Sequence, residues 1–140
     1  MQKRFLVFSG FSGAIAVALG AMAAHFLKGT ISNFNTVGEQ MIAQDYLQAF
    51  ETAVRYHMFH SIALLIVALL TDKVANKLLL KAGYCFMLGI ILFSGSLYFL
   101  CFGLLLGHMH LSWLGPITPI GGLFFILGWI LLAFAGLKKK

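Results

Sequence analysis

Five histidines, His25, His57, His60, His108 and His110, are the side chains of this sequence best suited to chemistry. They come from three separate segments, as a metal or haem site would need, because imidazole ligands must converge on the ion from different directions. The spacing argues the other way. His57 and His60 stand three apart in "YHMFH" without a carboxylate at a defined interval, and "HMH" falls in a short connection. Hydrogen-bonding histidines near a membrane interface account for this pattern, so no metal and no cofactor is expected. Glu51 and Arg55 form an i, i+4 pair in the favourable order and are read as a structural ion pair. A catalytic set is missing: there is no nucleophile elbow, no phosphate-binding glycine loop and no pair of carboxylates at a shared depth. The glycine- and proline-rich "GPITPIGG", with Thr118, reads equally well as the lining of a small pocket or as the closely packed start of a helix. Cys85 and Cys101 lie sixteen residues apart in one expected helix, about 24 Å at helical rise, too far to pair. The chain is not expected to be an enzyme.

The elements that position these residues follow from composition. Of 140 residues, 61% are hydrophobic and 10% charged, against roughly 25% charged in soluble domains, and the mean hydropathy is +0.94. Apolar runs long enough to cross a bilayer recur along the chain. The fold class is therefore all-α, a polytopic membrane protein built as a four-transmembrane-helix bundle, with residues 1–140 forming a single transmembrane domain. The spans fall at about 5–27, 53–70, 82–106 and 116–137. The first begins like a signal peptide, with Lys3 and Arg4 before an apolar stretch and Ala21 and Ala23 in an Ala-x-Ala arrangement. Its Ser9, Gly10, Ser12 and Gly13 instead suit a packed helix, and the span is expected to be retained. Gln44, Gln48 and Glu51 face one way and Met41, Ala43, Leu47 and Phe50 another, an amphipathic pattern that predicts an interfacial helix in the first external loop or an extension of span two.

Lysine and arginine set the orientation. Lys3 and Arg4, then Lys73, Lys77 and Lys81, then Lys138, Lys139 and Lys140 all fall on one side of a four-span protein, while Lys28 is the only cation in the opposite loops. Both termini are thus expected in the cytoplasm. The net charge of +6 is explained by this topology, and no nucleic-acid partner is expected.

Small residues predict the packing, since helices in lipid gain little from burying apolar surface and associate through close backbone approach. Ala82, Gly89, Ser96 and Gly103 repeat every seven residues in span three, and Gly121, Gly128 and Ala135 do so in span four. Depth along the helices brings His60 to mid-membrane near Ser94 and Ser96. A candidate polar pocket then comprises His25, Tyr56, His60, Ser94, Ser96 and Thr118, and span three is expected to supply the partner of His60.

Four ordered stretches, "GAMAAHFLK", "FETAVRYHMFHSIALL", "GIILFSGSLYFL" and "GPITPIGGLFFILGW", resemble the signatures of the YgdD-type family of small bacterial inner-membrane proteins, to which eukaryotic proteins are also similar. The resemblance covers almost the whole chain and implies a four-span protein of unknown function. His25, Thr52, Ala53, Tyr56, His60, Ser94, Gly95, Ser96, Tyr98, Thr118, Pro119, Gly121, Gly122 and Trp129 match its motifs. The family pattern commonly has glutamine where this chain has His57, which is read as incidental, and His108 and His110 lie outside the motifs, so the resemblance narrows the five histidines to His25 and His60. The expectation is a structural or accessory component of the bacterial inner membrane, in contact with the lipid bilayer and with a membrane-protein partner or a second copy of itself. The alternative is binding or transport of a small ligand, proton or metal near His25 and His60.

Overall fold

A backbone in hydrocarbon must satisfy its own N–H and C=O groups, and this chain does so as helices. The computed structural model describes residues 2–31, 35–74, 76–105 and 114–137; His108, His110 and the three terminal lysines lie outside them. Helix α1 covers residues 2–31, α2 runs Val37–Lys73, α3 covers residues 77–105 and α4 runs Ile117–Leu137. All four contain apolar windows long enough to span a membrane. Single π turns interrupt α1 at Ala23–Leu27 and α3 at Ile90–Ser94.

The caps explain where α2 and α3 start. Thr36 accepts the Glu39 backbone N–H while Glu39 accepts that of Thr36, a reciprocal capping box. Helix α2 then continues unbroken for 37 residues, about 55 Å against a hydrocarbon core of about 30 Å. The amphipathic segment around Met41 to Phe50 is thus an extension of span two, not a separate interfacial helix. Asn76 caps α3 by accepting the Leu78 N–H, and its amide donates to the Ala135 carbonyl, tying the α2–α3 turn to the end of α4. We term this the basic end, and the end with the α1–α2 connection the far end.

Successive helices are the close neighbours: α1 lies along α2, α2 along α3 and α3 along α4. The inner pair has 44% of each apolar window buried, against 22% for α1 and 17% for α4. Phenylalanines fill the glycine notches of the α3–α4 seam. Phe86 sits on Gly128, Phe125 sits on Gly89, and the Phe93 backbone lies against Gly121. Because Phe86 and Phe93 are seven residues apart, as are Gly121 and Gly128, two antiparallel helices can place both contacts on one line. Ser96 and Gly103 are also buried. At the basic end Phe5 of α1 occupies the notch of Gly83.

These notches differ in what a methyl group would strike. At Gly121 a Cβ would collide with the Phe93 backbone, whereas at Gly10 it would meet nothing within 4 Å. Gly121→Ala is therefore expected to destabilise the protein by about 2–3 kcal/mol, and Gly10→Ala to be neutral or stabilising by up to about 1 kcal/mol. Reversible unfolding in mixed micelles measures both; equal effects would show that α3 and α4 do not approach as described.

Candidate functional site

Residues at three- and four-residue steps on α2 turn one row into the bundle, and Phe50, Ala53, His57, Ser61, Leu64 and Ala68 are all buried on it. The two polar members meet α1 and α3. Ser12 Oγ of α1 lies 2.8 Å from His57 Nε2 and 2.6 Å from Ser61 Oγ, and Tyr98 OH of α3 lies 3.1 Å from His57 Nδ1. Ser61 also donates to the His57 carbonyl at 2.8 Å. Counting hydrogens fixes the directions. With the proton on Nε2, Tyr98 donates to Nδ1, Nε2–H to Ser12, Ser12 to Ser61 and Ser61 to the carbonyl, so every hydrogen has an acceptor. With the proton on Nδ1 the Tyr98 hydroxyl has no acceptor among these groups, a cost hydrocarbon makes steep. His57, read from the sequence as incidental, is thus the centre of a buried chain joining three helices.

His60 answers a different need. Its Nδ1 donates to the Tyr56 carbonyl at 2.7 Å and its Nε2 accepts the Trp129 indole N–H at 3.2 Å. Its ring stacks on Phe125 with centroids 3.5 Å apart. The partner comes from α4 and from its own helix, not from α3 as expected, because the π turn and close seam direct the serines elsewhere. Ser94 donates to the Ala53 carbonyl of α2 at 3.0 Å. Ser96 donates to the Phe93 carbonyl at 2.9 Å and takes a hydrogen bond from Thr118 at 2.6 Å.

The six residues of the expected pocket therefore do not converge. Ser96 meets Thr118, and Tyr56 stacks beside His60, but Ser94 turns to α2 and His25 is exposed on the π turn of α1. The expected Glu51–Arg55 pair is also replaced. Glu51 bonds Lys28 at 3.2 Å, linking the far ends of α1 and α2, because the neighbouring helix brings a cation closer than its own next turn does. Among the described residues no three of His, Cys, Asp and Glu gather as metal ligands, and both ring nitrogens of His57 and His60 already have protein partners.

Among the described residues several clefts flank α1, two of them of about 340 Å³. One, of about 340 Å³ between α1 and α3, is lined by Gly95, with Ser12, His57 and Tyr98 buried at its base and Phe11, Ile15, Ile91 and Phe99 at its rim. The rim residues are strongly exposed on the outer surface, whereas Ser12, His57 and Tyr98 are 4%, 6% and 9% exposed. The other, also about 340 Å³, lies between α1 and α2 and includes Ser9 and Ser61. The hydrogen-bonded chain runs from the floor of one to the lining of the other. None of the six pocket residues lines either cleft.

Comparison with known proteins supports the membrane reading of this geometry. The DUF423 family, described as protein of unknown function, matches residues 19–122. The UPF0382 membrane protein YwdK of Bacillus subtilis is 39% identical over 138 residues, covering 98% of each chain. A UPF0382 membrane protein of Haemophilus influenzae is 38% identical over all of this chain and 98% of its own length, and one of Staphylococcus aureus is 38% identical over 98% of each. No solved structure matches.

The hydrogen-bond directions predict opposite tautomers for the two histidines, Nε2–H at His57 and Nδ1–H at His60. Nitrogen NMR of histidine-labelled protein in lipid distinguishes them, and identical tautomers would contradict the assignment. A Trp129→Phe, His60→Phe double-mutant cycle should give a coupling of about 0.6 kcal/mol, and no more than about 1.7.

Proposed function

This chain belongs to the DUF423 family of UPF0382 membrane proteins, and on that basis we propose that it is a non-enzymatic accessory component of the bacterial inner membrane, of the YgdD type within that family. The observation that carries this reading is the satisfaction of the polar core. Among the described residues no buried side-chain nitrogen or oxygen is without a hydrogen-bond partner. The buried histidines and serines among the described residues join helices, which is what a scaffold needs. Lipid surrounds the bundle, and the sparsely buried outer faces of α1 and α4 are where a membrane-protein partner or a second copy would pack.

Orientation follows from the cations. Lys3, Arg4, Lys73, Lys77 and Lys81 cluster at the basic end, so that end, with both termini, faces the cytoplasm. A ligand site built on His25 and His60 has no support from the geometry, because the two histidines do not meet.

Single cysteines at Asn35 and Asp72, in a background with Cys85 and Cys101 replaced, test the orientation. Asp72 is preferred to Asn76, which caps α3. An impermeant maleimide should label position 35 in intact cells and position 72 only after the membrane is opened; the reverse pattern would overturn the topology. Native electrophoresis of chromosomally tagged protein in mild detergent tests the accessory role. Migration well above the 15.4 kDa chain is expected, and migration as an isolated monomer would count against it.

A further inference from the structure

We propose that the cleft between α1 and α3 is a binding site for an uncharged lipophilic quinone, whose ring lies against Tyr98 and Phe99 and whose tail leaves between the exposed rim side chains into the membrane. The site goes beyond the accessory role and stands on a different observation, an almost wholly apolar, laterally open cleft with the Ser12–His57–Tyr98 chain buried directly beneath its surface. Its volume, about 340 Å³, falls within the range of small-molecule sites, which are mostly apolar with a few placed polar groups.

Depth narrows the occupant. Ser12 lies nine residues beyond Lys3 and His57 sixteen residues before Lys73, about 14 Å of helix from the first lysine and about 24 Å from the second. The floor is thus inside a hydrocarbon core of about 30 Å. A phospholipid keeps its polar groups at the surface and could bring only an alkyl chain here. A neutral ring carrying oxygen atoms on a hydrocarbon tail can bring hydrogen-bonding groups to this depth.

Hydrogen counting at the floor narrows it further. With His57 protonated on Nε2, Tyr98 spends its hydrogen on Nδ1 and offers the ligand only a lone pair. With the proton on Nδ1, the histidine donates to Tyr98, and the freed phenolic hydrogen needs one more acceptor. A ligand carbonyl supplies that acceptor and removes the cost disfavouring this tautomer. The same floor therefore receives a carbonyl in one tautomer and a hydroxyl in the other, which are the groups of a quinone and its quinol. Pure hydrocarbon uses neither.

Gly95 provides a clean block. It lines the cleft, and a Cβ there would meet nothing within 4 Å, so a side chain can be started there without striking the neighbouring helices. Full-length protein in phosphatidylglycerol–phosphatidylcholine nanodiscs is titrated with decylubiquinone, counting probe bound above that in protein-free discs. Saturable binding is expected, with the His57 nitrogen resonances moving toward the Nδ1–H tautomer. Gly95→Leu should weaken binding at least about tenfold, and Tyr98→Phe by about tenfold through loss of its hydrogen bond. Ile15→Trp, at an exposed rim position, is a second block should Gly95→Leu misfold. Decylbenzene, which lacks oxygen, should not compete. Partition without saturation, binding unchanged by both blocks, or equal competition by decylbenzene would each overturn the site, the last by reducing it to an alkyl-chain groove.

Discussion

A polar hydrogen that faces hydrocarbon instead of an acceptor costs several kcal/mol, and the middle of this bundle is organised around avoiding that cost. Helix α2 carries His57, His60 and Ser61 through the membrane, and none can be solvated there. His60 and Ser61 each bond both the α2 backbone and another helix, and the His57 ring bonds only other helices; the outside partners are Ser12 of α1, Tyr98 of α3 and Trp129 of α4. One polar helix thereby fixes the positions of the other three.

Hydrogen bonds of this kind work only if the helices stand close, and apolar burial does not bring helices together in lipid. Glycine does so at the α3–α4 seam. With Phe125 lodged on Gly89, its ring also forms the surface on which His60 stacks, and Phe86 on Gly128 packs beside Trp129. Shape and polarity are thus coupled. The notches set the distance at which the Trp129 indole reaches His60, and the histidine fixes the rotation of α2 toward that seam.

The spans and the small-residue stripes are legible in the sequence because each is a property of one helix: its length, its hydropathy, or a seven-residue repeat. Which helix answers a polar side chain is not, because that depends on relative rotation. Glu51 has a good partner in Arg55 on a helical wheel, yet Lys28 reaches it from α1. His57 looks incidental against the family pattern, although its row with Ala53, Ser61 and Leu64 is visible as helical spacing that continues the buried face. Polar residues on that row, rather than agreement with a motif, are the available signal. The π turn at Ile90–Ser94 leaves no such trace. It adds a residue to one turn of α3 and re-aims the remainder of the helix, so that Ser94 meets α2 while Ser96 meets α4.

His57 and His60 are separated by one turn of the same helix and are almost equally buried, yet their surroundings assign them different work. The ring of His60 is closed in by Phe125, Phe86 and Trp129, with both nitrogens spent on fixed partners. Its tautomer is dictated by a backbone carbonyl, which can only accept, so nothing arriving from outside can change it. The partners of His57 are hydroxyls, each able to donate or accept, and they reach cleft walls on two sides of α1. A clamp whose purpose is rigidity is better made of groups with one fixed role, as at His60. A chain of reversible donors that ends at an open cleft retains a choice of direction, and that difference marks His57 rather than His60 as the residue through which this bundle can respond to a ligand.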